Sequence, residues 1–202
     1  AERREPCGGN EENGESLSLR LLLIMKTIAI TLPHFFAGEA EAINRLFAEG
    51  SIDLLHLRKP DSTIEECRQL IDKINPEYYN RIVVNDHFAL CAKYHLHGVH
   101  LNRRNPTPPP CHQGSISCSC HSLEEVVKRK PKLNYVFLSP IFDSISKQGY
   151  RSAFDDATLK KASAEGIIDQ KVVALGGVTR ERMALLEKYG FGGAAMLGDI
   201  WR

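Results

Sequence analysis

The sequence predicts an α/β protein of the TIM, or (β/α)8, barrel class, and two observations carry that prediction. Across residues 26–200 a short apolar run ending in a polar residue or glycine is followed, repeatedly, by a helical pattern or a long connection. That alternation calls for parallel strands joined by crossovers. The runs number eight, the count at which a parallel sheet closes on itself and fills its interior with side chains. An eight-stranded open sheet is the alternative.

Taken in order, residues 27–32 form the first strand and 39–49 the helix behind it. Residues 52–58 are the second strand, alternating at their end so that His56 and Arg58 share one face. Pro60 stops that strand, and Ser62 or Thr63 opens a helix to about residue 74. Residues 81–86 are the third strand, with a short helix to 94, and 98–101 are the fourth. Residues 102–113 carry Pro106, Pro108, Pro109 and Pro110; no regular helix survives that density of proline, so a long loop replaces the fourth crossover helix. Residues 115–119 are the fifth strand, and Ser122 with Glu125 reads as a capping box opening a helix to about 130. Residues 134–139 are the sixth strand, 140–152 a long loop and 156–165 its helix. The seventh strand ends at Gly176 and Gly177, Thr179 is the expected N-cap of a helix over 180–189, and the eighth strand ends at Gly198. The sequence stops before an eighth helix, so the expectation is one barrel domain over 25–202, truncated after its last strand.

Residues 1–24 are read as an extension outside the fold, with Met25 as the natural start. Their first 18 residues are rich in Glu, Arg, Gly, Asn and Ser without periodicity, a disordered composition. The apolar stretch 21–24 is too short for a membrane span or a signal core. A net charge of +1, with no Lys/Arg stripe interleaved with aromatics, argues against nucleic acid. Six cysteines show neither paired zinc spacing nor disulfide density, which suits a cytoplasmic protein; Cys118 and Cys120 read as buried small hydrophobes. Homo-oligomerisation stays open.

Barrel chemistry is built at the carboxyl ends of the strands. Those ends carry His56 and Arg58; Asn85 and Asp86; His100 and Asn102; Ser119 and His121; Ser139 with Ser144, Ser146 and Lys147; Gly176 and Gly177; and Gly198. Each has a bland reading on its own. His100 is an interior histidine, Asn85-Asp86 a helix cap, Lys147 a solvated lysine, and Gly176-Gly177 a tight turn. Convergence of polar groups at seven strand ends is what those readings do not supply. Glycines at adjacent strand ends expose backbone N–H groups to an anion, so a phosphate is expected at Gly176, Gly177, Leu197 and Gly198.

Arg58, Asn85-Asp86, Gly98-Val-His-Leu101, Ser119-x-His121, Pro140-Ile-Phe-x-Ser-x-Ser-Lys147 and Leu175-Gly-Gly-Val178 together resemble the thiamine phosphate synthase/TenI family. The resemblance covers residues 26–201 and implies the barrel fold. Its synthases join a pyrimidine methyl diphosphate to thiazole phosphate with loss of pyrophosphate, using magnesium. Its TenI members tautomerise the thiazole carboxylate phosphate without a metal. The synthase pattern Gln-x-Arg-x-Lys is met here by His56, Arg58 and Pro60, and its Gly-Gln-Glu-Asp by Asn102-Arg103-Arg104-Asn105. The second magnesium carboxylate is thereby an amide, which a hard cation tolerates poorly.

The resemblance therefore leans to a tautomerase, with His121 as general acid/base, Ser119 or His56 positioning the ligand and no cofactor. As a synthase the chain would place Arg58, Asn85, Ser144, Ser146 and Lys147 on the diphosphate and Asp86 on Mg2+. The third reading is a non-catalytic thiazole phosphate binder. All three take small phosphorylated molecules as partners and exclude nucleic acid and membrane.

Overall fold

The structure, a computed structural model, describes residues 25–143 and 154–201. The strands are β1 (Lys26–Ile30), β2 (Leu54–Leu57), β3 (Ile82–Val84), β4 (Gly98–Leu101), β5 (Ser115–Cys120), β6 (Tyr135–Leu138), β7 (Val172–Leu175) and β8 (Gly193–Met196). Every neighbouring pair is parallel, and β8 returns to β1 through the register Lys26↔Gly193 to Ala29↔Met196, so the barrel is closed. Closure rules out the open sheet.

The helices between strands are α1 (Glu39–Ala48), α2 (Ile64–Ile71), α3 (Ala89–Tyr94), α4 (Leu123–Arg129), α5 (Asp156–Ala164) and α6 (Met183–Lys188). Thr63 caps α2 in a reciprocal box with Glu66, and Asp155 caps α5 through the Thr158 N–H at 2.8 Å. Two expected caps differ. Glu125 reaches back to the His121 N–H at 2.8 Å, one residue before the cap Ser122. Thr179 makes no side-chain cap; a 3-10 turn, Arg180–Arg182, precedes α6. The proline-rich connection between β4 and β5 holds neither helix nor strand, as its prolines require.

Alternation along the strands divides the apolar residues into two layers. Outward-facing Ala29, Leu55, Val84, Val99, Cys118, Leu138 and Ala174 pack under the helices with Ile43 and Phe47 of α1 and Ile71 of α2. Full burial of each such aliphatic or aromatic side chain stabilises by about 1.5–3 kcal/mol. The Cys118 and Cys120 sulfurs lie buried in this layer, 4.0 Å apart. Ile28, Ile30, Leu54, Phe137, Val173 and Ala195 fill the barrel itself, with Tyr135, Leu175 and Leu197 against them. No helix among the described residues is long and apolar enough to cross a membrane.

Candidate functional site

Inside the barrel the apolar filling gives way to a polar column. His56 of β2 is fully buried, with Nε2 2.7 Å from the Tyr135 hydroxyl and Nδ1 3.2 Å from Asn85 Oδ1. An amide oxygen only accepts, so Nδ1 carries the proton and Nε2 accepts from Tyr135. With the amide oxygen facing the histidine, the Asn85 NH2 is left as a donor. His100 of β4 has Nδ1 2.9 Å from Ser117 Oγ and Nε2 3.0 Å from Ser119 Oγ. Burial drives the His56 ring well below its ordinary pKa and His100 down to about 3, with the Arg58 charge adding to the latter. Both imidazoles are neutral at pH 7. Ser119 and His56, expected to position ligand, thus have their hydrogen bonds turned inward to other side chains.

At the mouth above β3 and β4 the groups are charged. Thr31 Oγ1 accepts from the Arg58 N–H at 2.9 Å and donates to the Arg58 carbonyl at 3.1 Å, fixing the backbone from which that guanidinium leaves. Asp86, 9% exposed, accepts on Oδ1 from Arg104 Nη2 at 2.8 Å, Arg104 Nε at 3.2 Å and Asn105 Nδ2 at 3.3 Å. Its Oδ2 is buried and has no hydrogen-bond partner among the described residues. Asn102 builds the turn that delivers Arg104: its Oδ1 accepts from the N–H groups of Arg104 and Asn105 at 2.9 and 3.1 Å, and its Nδ2 donates to the Asn85 carbonyl at 2.6 Å.

Across the ring lie the glycines after β7 and β8. Gly176 and Gly177 have φ of 92° and 62°, and neither their N–H groups nor that of Gly198 donate a hydrogen bond to any described residue. The reason for glycine differs from the sequence-based expectation at two of these positions. A Cβ on Gly176 would sit 2.8 Å from Pro140, and one on Gly177 would run into Phe142 and the Asp143 carbonyl, so the loop after β6 packs where the ligand was expected to crowd. At Gly198 nothing lies within 4 Å. The Leu197 side chain points into the barrel, leaving its backbone for the rim.

His121 stands between the two mouths, exposed, with Nδ1 3.1 Å from the Ser139 carbonyl. The carbonyl can only accept, which places the proton on Nδ1 and the Nε2 lone pair outward. Ser144, Ser146 and Lys147 lie outside the described residues, as does the extension over 1–24.

Residues 27–200 match the pattern of a family described as thiamine monophosphate synthase. The chain belongs to the thiamine monophosphate synthase family. The crystal structure of a thiamine phosphate pyrophosphorylase from Bacteroides thetaiotaomicron is 44% identical, covering 88% of this chain and 85% of that one with a TM-score of 0.81. A thiamine-phosphate synthase of Photorhabdus laumondii is 26% identical over 78% of this chain and 76% of its own length. Another, of Actinobacillus pleuropneumoniae, is 28% identical over 67% of this chain, and the match spans 63% of that protein's length.

Set against the synthase pattern, Lys59 does not take the place of the lysine that Pro60 displaces. It is fully buried, with Nζ on both Glu39 oxygens at 2.7 and 2.9 Å and on the His34 carbonyl at 2.7 Å. Nor do the described residues gather three or more His, Cys, Asp or Glu groups that could hold a metal. Magnesium is commonly held by one or two carboxylates plus substrate phosphates, and the buried, unpartnered Asp86 Oδ2 suits one such bond. Arg104, Tyr135 and Thr31 do not stand out in the sequence because each meets a partner distant along the chain: Asp86, His56 and Arg58.

Proposed function

We propose that this chain is a thiamine-phosphate synthase, joining a pyrimidine methyl diphosphate to thiazole phosphate. What supports this reading is that groups able to meet an anion stand at two places around the carboxyl end of the barrel, Arg104 after β4 and the glycine N–H groups after β7 and β8 that donate to no described residue, where a reaction on a single phosphorylated substrate needs one. The thiazole phosphate lies on the N–H groups of Gly176, Gly177, Leu197 and Gly198. The diphosphate lies across the ring on Arg58 and the Asn85 NH2, and the family resemblance adds Ser144, Ser146 and Lys147 to its contacts. The thiazole nitrogen forms a bond to the pyrimidine methylene as the C–O bond to the diphosphate breaks, and pyrophosphate leaves with the electron pair. The protein's part is positioning and charge complementarity, with the His56 and Tyr135 column holding the Asn85 amide donor-outward. Magnesium, when bound, would neutralise charge on the diphosphate, and Asp86 Oδ2 is the oxygen that would hold it.

Supplying both substrates with magnesium should give equal amounts of thiamine phosphate and pyrophosphate. Absence of both products from a folded preparation would sink the proposal. A second reading, thiazole tautomerisation, is favoured by His121, whose fixed tautomer presents a free Nε2 as a base. In that case one phosphorylated thiazole is converted without metal, and His121→Asn slows it about a hundredfold while leaving affinity unchanged. Thiazole phosphate affinity with neither reaction would mark a binding protein.

A further inference from the structure

Asp86 carries a guanidinium on one oxygen, and its other oxygen has no partner among the described residues. Arg104 is 51% exposed, so the fork that grips Asp86 through Nε and Nη2 keeps an outward edge. Its position is built by two contacts, the ion pair and the Asn102 turn beneath its N–H, while Asn105 donates to the Asp86 oxygen that it grips. Arg58, after β2, carries a second positive charge near enough to act on the buried His100 ring of β4. A guanidinium held in this way suits two oxygens of a phosphate group without help from a metal.

We infer that Arg104 is a diphosphate-binding residue, supplying at the mouth of β3 and β4 positive charge that would otherwise have to come from a divalent cation. The inference rests on the synthase reading for its choice of diphosphate, but its test does not need turnover. The consequence is affinity for the leaving group without metal, with magnesium on Asp86 Oδ2 adding to it.

Calorimetric titration of the whole chain with inorganic pyrophosphate, once in EDTA and once in excess magnesium, reads this directly. Binding in EDTA should lie within about tenfold of that in magnesium. Arg104→Gln should lose about tenfold or more in EDTA, the range for hydrogen bonds to charged groups, and should depend more steeply on magnesium. Arg104→Glu, the second variant, should lose more; unchanged melting temperatures establish that both fold. Pyrophosphate binding that is absent from the wild type in EDTA, or equal in wild type and both variants there, overturns the inference. The two proposals fail separately. Thiamine phosphate synthesis with strictly magnesium-dependent pyrophosphate binding leaves the synthase and removes Arg104; metal-free binding without synthesis does the reverse.

Discussion

Two ion pairs flank the mouth of this barrel, and they are built to opposite ends. Lys59 and Glu39 are 0% and 2% exposed, and every proton of the ammonium is consumed by Glu39 or the His34 carbonyl, with the Phe35 ring 4.5 Å from the charge. Arg104 and Asp86 are 51% and 9% exposed, and among the described residues each keeps unused capacity: an outward edge on one, Oδ2 on the other. The first pair ties the loop after β1 to the end of β2 and has nothing left to offer a ligand. The second has something to offer because it is incomplete. Polar groups satisfied on all sides hold this fold, and those with one side open are where its chemistry is expected.

The largest effect should come from the sealed pair. Burial pushes the Glu39 carboxyl up and the Lys59 ammonium down, each against the bond between them, so neither charge is comfortable alone. Glu39→Gln leaves a buried ammonium without its counter-charge and should cost about 3–5 kcal/mol, on the order of 10 °C in melting temperature. Arg104→Gln should move stability by less than about 1 kcal/mol. Equal losses in the two variants, read by thermal denaturation, would erase the distinction.

The glycines repeat the contrast without charge. Gly177→Ala meets a positive φ and the packed loop at Phe142 and Asp143, and should destabilise by about 2–3 kcal/mol. Gly198→Ala projects into open space and should leave the melting temperature within a degree or two. An aspartate at 198, in place of one at 177, is therefore the cleaner probe of the phosphate cradle, since repulsion of the anion is not mixed with a steric clash. Normal thiazole phosphate affinity in Gly198→Asp would remove that residue from the site.

How much of this was legible in the sequence depends on the distance between partners. The barrel was readable because strand, glycine and helix signals are local, and the prolines after Leu101 announced their loop. His56 and Arg58 were visible as strand-end neighbours. That His56 answers to Tyr135, 79 residues away, was not. Arg104 read as a loop arginine until Asp86, 18 residues earlier, was placed beneath it. At Gly176 and Gly177 a neighbouring loop already excludes a side chain, and a glycine required by a loop and one required by a ligand look the same in sequence.

Histidines allow the contrast to be titrated. His100 has a folded pKa of about 3 against an ordinary 6.5, so its contribution to stability is complete above pH 6.5 and is lost as the pH falls toward 3. At pH 5 that loss is about 2 kcal/mol, and His56, shifted in the same direction, adds to it. Denaturation midpoints at pH 7 and pH 5 should separate by less in His100→Gln than in the wild type. A wild-type midpoint indifferent to pH over that range would show that the buried rings accept protons in the folded state.

The most indirect effect lies where closed and open groups meet. Tyr135→Phe removes the donor to His56 Nε2 and leaves that nitrogen buried without a partner, at a cost of about 1–3 kcal/mol. The cost is reduced if the imidazole switches its proton to Nε2. That switch has a consequence at the mouth: Nδ1 becomes an acceptor, the Asn85 amide must turn its NH2 inward to meet it, and its oxygen then faces the diphosphate. Pyrophosphate affinity should fall severalfold although residue 135 lies on the far side of His56 from the ligand. Tyr135→Phe combined with Asn85→Ala should lose no more affinity than Asn85→Ala alone, because the tyrosine acts only through the amide. Additive losses in that double-mutant cycle would show that Tyr135 reaches the mouth by another route.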